Sequence, residues 1–148
     1  MSQYKTNKES DTRAVAKDFA KTLKNRKPGK NALVVGFTGE LGAGKTTFIK
    51  SLTRSMGVRR KITSPTFLIL RRFKINNKFF SNIFHIDAYR IKKESELSVV
   101  GIEKILESPS NIVLVEWADR IKKVLPKTTI WVKFKYGKKR DERTITID

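Results

Sequence analysis

Gly39-Glu40-Leu41-Gly42-Ala43-Gly44-Lys45-Thr46 is the stretch on which the reading of this 148-residue chain turns. It fits the phosphate-loop pattern of a glycine, four residues, then Gly-Lys-Ser/Thr. The glycines allow a tight turn whose N–H groups come close to anionic oxygens. Those N–H groups, with the start of the following helix, form an anion site. Lys45 is placed to reach the β- and γ-phosphates, and the Thr46 hydroxyl to ligate magnesium. The expected nucleotide-binding set is Gly39, Glu40, Leu41, Gly42, Ala43, Gly44, Lys45, Thr46 and Thr47.

The flanks supply the context this motif demands. Ala32-Leu33-Val34-Val35-Gly36-Phe37 is a short apolar run rich in β-branched residues, so it reads as a buried strand. After the loop, Phe48, Ile49, Leu52 and Met56 recur at helical spacing, and Gly57 is a natural stop. Strand, glycine loop and helix in that order point to nucleoside triphosphate binding.

Length and composition bound the rest. The chain is long enough for one domain with a real core, taken as residues 1–148, but not comfortably for two. With no cysteine, disulfides, thiol catalysis and cysteine zinc sites are excluded, and one histidine excludes a histidine-rich metal site. Met1-Ser2-Gln3-Tyr4-Lys5 lacks the apolar core of a signal peptide, and no apolar run approaches a membrane span. The expectation is a cytoplasmic protein without a membrane partner. The formal charge is +19, from 33 Lys and Arg against 14 Asp and Glu. It fits an acidic partner such as RNA, or a cradle for triphosphate. It fits equally a genome biased toward Lys, Asn and Ile. Clusters stand at Arg59-Arg60-Lys61, Arg71-Arg72 and Lys138-Lys139-Arg140, without a recognised RNA-binding motif.

Along the chain, Ser10-Asp11 is placed to cap a helix running to about Leu23, with Ala14, Val15, Phe19, Ala20 and Leu23 on its apolar side. Residues 66–73 read as a strand, Asn76-Asn77 as a hairpin turn, and 79–86 as the returning strand. Residues 92–106 read as a helix broken near Gly101. Ile112-Val113-Leu114-Val115 is a second buried strand, and 129–136 and 143–147 are paired strands around a basic turn. The fold class is α/β: a single-domain phosphate-loop (P-loop) nucleoside triphosphatase fold. Its central sheet is mixed, mostly parallel and flanked by helices, with the site at strand C-termini.

Phosphoryl transfer depends on positioning and charge neutralisation, so a bound metal needs acidic company. Asp87 and Glu116 each follow a predicted strand, where an open α/β sheet places its ligand. Either could hold magnesium or orient an attacking water. Ser64 and Thr66, in Ser64-Pro65-Thr66-Phe67, form a switch-like segment with Thr66 near metal or γ-phosphate. His85 reads as an orienting or packing residue, and Trp117 as an aromatic packed beside Glu116. Nothing matches the Asn-Lys-x-Asp grip on guanine, which favours ATP.

Taken in order, residues 39–48, Ser64-Pro65-Thr66-Phe67, His85-Ile86-Asp87-Ala88-Tyr89-Arg90 and Val115-Glu116-Trp117 closely resemble the bacterial TsaE (YjeE) family. The likeness covers nearly the whole chain. It implies a weak magnesium-dependent ATPase that acts with TsaD and TsaB in threonylcarbamoyl modification of adenosine 37, in tRNAs reading codons that start with A. It also implies Thr46 and Glu116 as magnesium ligands, and Lys45, Asp87 and Glu116 as the catalytic set. Adenine would lie near Lys8–Thr12 and Lys139–Arg140, with Lys8 and Lys139 as nucleotide contacts. Contact with tRNA would be indirect or within the assembly. Two other classes compete: a small-molecule kinase using the same loop, and a non-catalytic RNA-binding module driven by charge.

Overall fold

The fold is that of a computed structural model, which describes residues 1–60 and 69–148. The core of the sheet is four parallel strands: β2 (Leu33–Thr38), β4 (Asn82–Asp87), β5 (Asn111–Glu116) and β6 (Ile130–Tyr136). They are extended on one side by β7 (Arg143–Ile147) and β1 (Ser2–Thr6), and on the other by β3 (Leu70–Lys74), each joined antiparallel. The order across the sheet is β1-β7-β6-β2-β5-β4-β3.

Helices cover both faces, so the central strands are apolar on both sides. Alternate residues along a strand point to opposite faces. Val35, Phe37, Ile112 and Leu114 join the core under α1 (Glu9–Asn25) and α2 (Lys45–Ser55). Val34, Val113, Val115 and Ile86 join the core under α3 (Ser95–Val99) and α4 (Ile102–Glu107). Phe48 of α2 is the hub of the first core. Its ring lies 6.1 Å from Phe19 of α1, 5.7 Å from Phe37 of β2 and 5.6 Å, edge-on, from Phe134 of β6. The residue three places after the loop lysine thus fastens the loop's helix to both walls.

Several boundaries differ from expectation for identifiable reasons. Helix α1 starts at Glu9, earlier than Ser10-Asp11. Asp11 sits inside the first turn, and its carboxylate reaches back to accept the Asn7 N–H at 2.9 Å. Thr12 and Ala16 take the buried face with Phe19, Ala20 and Leu23, while Ala14 is exposed. Strand β4 begins at Asn82 because the Asn77 Oδ1 accepts the N–H groups of Phe79 and Phe80, at 2.8 and 3.1 Å, and holds that stretch in a turn. Gly101, at φ +72°, separates α3 from α4 as expected. Strand β1 has no periodic apolar signal; it is a strand because β7 pairs with it, from Ser2 opposite Ile147 to Thr6 opposite Arg143. Residues 66–68 of the strand expected over 66–73 lie outside the described residues. Among the described residues, no helix is long and apolar enough to cross a membrane.

The parallel register positions the site. Glu116 ends β5 level with Phe37 of β2 on one side and Asp87 of β4 on the other. The glycine loop leaves β2 at the same end, which is the ligand end of an open α/β sheet.

Candidate active site

The loop's shape depends on glycine at two places above all. Gly39 has φ +137°, and a Cβ there would lie 2.5 Å from the Phe134 carbonyl oxygen. Gly44, at φ +101°, is the N-cap of α2. The loop is held from outside as well, because the Tyr136 hydroxyl donates to the Leu41 carbonyl at 2.5 Å. Lys45 folds back over this turn. Its Nζ donates to the carbonyls of Gly39 at 2.6 Å and Glu40 at 2.8 Å, and lies 3.9 Å from the centre of the Trp117 ring. Burial pushes the Lys45 pKa down, against the pull of Glu116, Asp119 and Asp87. Trp117 takes this position at φ +56°, a backbone conformation uncommon outside glycine, and its ring lies 5.0 Å from that of Tyr89, tilted by 49°.

Glu116 is 3% exposed and its two oxygens are both engaged. Oε2 accepts the Thr46 hydroxyl at 2.9 Å, and Oε1 lies 2.8 Å from His85 Nε2. A carboxylate only accepts, so Nε2 carries the hydrogen. His85 Nδ1 is buried and has no partner among the described residues. The His85 imidazole thus fixes the rotation of the Glu116 carboxylate. Asp87 stands beside them. One of its oxygens accepts the Tyr89 N–H at 3.0 Å. Burial raises the Asp87 pKa; the Tyr89 N–H opposes this, and the neighbouring Glu116 charge adds to it.

The oxygens of Thr46 and Glu116 suit a small hard cation. A hydroxyl and a carboxylate oxygen side by side are hard donors of the kind such a cation takes. Among the described residues, no group of three or more His, Cys, Asp or Glu could hold a metal.

Lys45, Thr46, Glu116 and Trp117 border a hollow of about 180 Å³ at the loop. A second cleft, of about 280 Å³, continues past Gly42, Gly44 and Thr47 to Lys8 and Thr12 on one side and Asp141 and Arg143 on the other. The structure therefore brings together Gly39 to Thr47, Asp87, Glu116 and Lys8. Lys139 stands exposed between β6 and β7 and does not line the cleft. Ser64 and Thr66 lie outside the described residues. Sequence reasoning missed Asp141, Arg143, Phe134 and Tyr136. For the last two there was a usable signal: alternation along β6 puts positions 132, 134 and 136 on one face, the face of Phe37 and Phe48.

With the geometry in view, the likeness to known proteins is specific. The profile of a family described as Threonylcarbamoyl adenosine biosynthesis protein TsaE matches residues 6–145. A Rickettsia typhi protein named tRNA threonylcarbamoyladenosine biosynthesis protein TsaE is 38% identical over 130 residues, 87% of this chain and 83% of the relative. A Bacillus subtilis protein of the same name is 35% identical over 144 residues, 97% of this chain and 83% of the relative. Among solved structures, the crystal structure of Bacillus subtilis YdiB superposes with a TM-score of 0.75 at 28% identity. The match covers 99% of this chain and 83% of that one.

Proposed function

The chain belongs to the TsaE family of threonylcarbamoyl adenosine biosynthesis proteins, and on that footing we propose that it binds and slowly hydrolyses ATP with magnesium. It does so as a partner of TsaD and TsaB type proteins that modify adenosine 37 of tRNAs reading codons that start with A. The observation that carries this reading is the hydrogen bond from the Thr46 hydroxyl to the buried Glu116 carboxylate, 2.9 Å, beside Lys45 and a glycine loop.

The residues divide the work. The loop N–H groups and the start of α2 take the phosphate oxygens. Thr46 and Glu116 would hold magnesium, which would supply charge neutralisation to the triphosphate. Lys45 exchanges its two carbonyl partners for phosphate oxygens, a gain in charge pairing over neutral acceptors. Glu116 is already engaged by Thr46 and His85, and its remaining lone pairs go to the metal. Asp87 has one oxygen on the Tyr89 N–H and the other without a partner among the described residues. Asp87 therefore orients the attacking water. Its raised pKa suits it to accept that hydrogen bond and to take up the proton released as the γ-phosphoryl group moves to water. The products are ADP and inorganic phosphate.

The test is direct. Thr46→Ala and Glu116→Ala should each abolish most ATP hydrolysis by the purified chain mixed with its TsaB and TsaD partners. Cells carrying only either variant should lose the tRNA modification. Full modification in those cells, with the variant protein present at normal level, would overturn the reading.

A further inference from the structure

A groove of about 520 Å³ runs between α1 and α2, outside the catalytic residues. One wall carries Arg13 and Lys17 and the other Lys50 and Arg54, with Glu9 as its acid. Arg13 is paired with Glu9. Lys17, Lys50 and Arg54 have no ion-pair partner among the described residues. The Ser51 hydroxyl donates to the Arg13 carbonyl at 3.2 Å and fixes the two walls together. Glu9 and Thr47 line both this groove and the nucleotide cleft, so the two are continuous.

We infer that this groove docks the phosphate backbone of RNA, in the first place the tRNA whose modification the chain serves. The proposal rests on the function proposed above only for that choice of RNA. Two observations select RNA over an acidic protein. The residues lining the groove are all charged or hydroxylic, with no aliphatic or aromatic anchor. A protein interface draws its affinity from such anchors, whereas a phosphate backbone is held by cations and hydroxyls alone. The cations also come in pairs four residues apart on each helix, Arg13 with Lys17 and Lys50 with Arg54. That spacing is a rise of about 6 Å, comparable with the step between successive phosphates on an RNA strand. A net charge of +19 draws a polyanion to the molecule; the groove gives it one place to lie. No base-reading element accompanies the groove, so binding is set by backbone and not by sequence.

The experiment uses the full chain and unmodified tRNA transcript, with affinity measured across a salt series in the absence of nucleotide. The triple variant Lys17→Glu, Lys50→Glu, Arg54→Glu should bind at least about tenfold more weakly near 0.1 M salt. The slope of log affinity against log salt should be shallower by about 2–3, as for three lost phosphate contacts. ATP hydrolysis by the chain alone should persist, which certifies the fold. A milder set, Lys17→Gln, Lys50→Gln, Arg54→Gln, should change the slope in the same direction. The control reverses three exposed lysines elsewhere: Lys27→Glu, Lys30→Glu, Lys123→Glu. Equal loss in groove and control variants would mean that net charge binds and the groove does not. Unchanged tRNA binding in the groove variant would overturn the proposal outright. So would loss of binding to TsaB and TsaD with tRNA binding intact, which would assign the groove to an acidic protein surface. None of these results depends on whether ATP hydrolysis supports the modification, so the two readings fail separately.

Discussion

The inner end of the nucleotide cleft is walled by groups nearly sealed from water, the outer end by groups that water reaches. Lys45, Glu116 and His85 are 4%, 3% and 0% exposed, and their partners are fixed by backbone carbonyls and by one another. Lys8, Glu9 and Asp141 are exposed, and Arg143, half-buried, holds its place through the Arg140 and Glu142 carbonyls and the face of Tyr136. The Glu116 carboxylate is fixed by Thr46 and His85 without a ligand, the kind of preorganisation that charge stabilisation in phosphoryl transfer draws on. On the proposed reading the outer end has only to hold a flat base, and side chains with freedom to adjust can do that.

The largest effect should follow from breaking the sealed end. Glu116→Ala should lower ATP hydrolysis by about 100- to 1000-fold, the scale for removing one preorganised electrostatic group. It should also lower stability by about 1–3 kcal/mol, because His85 is left buried without its one partner; chemical denaturation reads this. Glu116→Gln should lose the activity while keeping most of the stability. Next comes Gly39→Ala, which meets both a positive φ and the Phe134 carbonyl. A loss of about 1–3 kcal/mol should accompany at least about tenfold weaker ATP binding by calorimetry. Gly29→Ala, with nothing within 4 Å, should change neither.

At the outer end, Arg143→Ala should weaken ATP binding by only about three- to tenfold, less than about 1.4 kcal/mol. The turnover of bound nucleotide should stay as it was. A fall in turnover as large as that of Glu116→Ala would erase the distinction between the two ends. The smallest effect concerns pH. The folded state holds the Asp87 proton more tightly than the unfolded chain does. Its contribution is therefore most favourable below the ordinary aspartate range and is lost as pH rises through the raised folded value. Asp87→Asn has no proton to lose there. Its melting temperature should gain on the parent's as pH climbs from about 4, a modest rise in stability alongside slower hydrolysis.

The same contrast decides what could be read from residues alone. The glycine loop, its strand and its helix are neighbours in sequence, and a spacing rule finds them. Asp87 and Glu116 were found because each follows an apolar run, and strand ends converge in this class of fold. Their partners needed the sheet order. Thr46 meets Glu116 across 70 residues, and Tyr136 meets Leu41 across 95; alternation along β6 gives the face of Tyr136, but no local pattern gives either partner. At the outer end almost nothing was legible. Lys8 was inferred through family likeness, while Asp141 and Arg143 face Lys8 across the cleft because a polar strand, Ser2–Thr6, pairs with β7. A strand with four exposed positions out of five carries no periodic mark of its own.

That pairing also sets an order of events in synthesis. Ser2–Thr6 is made long before the strand it pairs with, which is not finished until Ile147. Gly39–Thr46 and α2 leave the ribosome long before then. The nascent chain can shape its phosphate loop early, but it closes the outer wall only by joining segments nearly a whole chain length apart. Loop-closure entropy makes such long-range joining a late step. On the proposed reading, firm capture of nucleotide waits until β7 has been made.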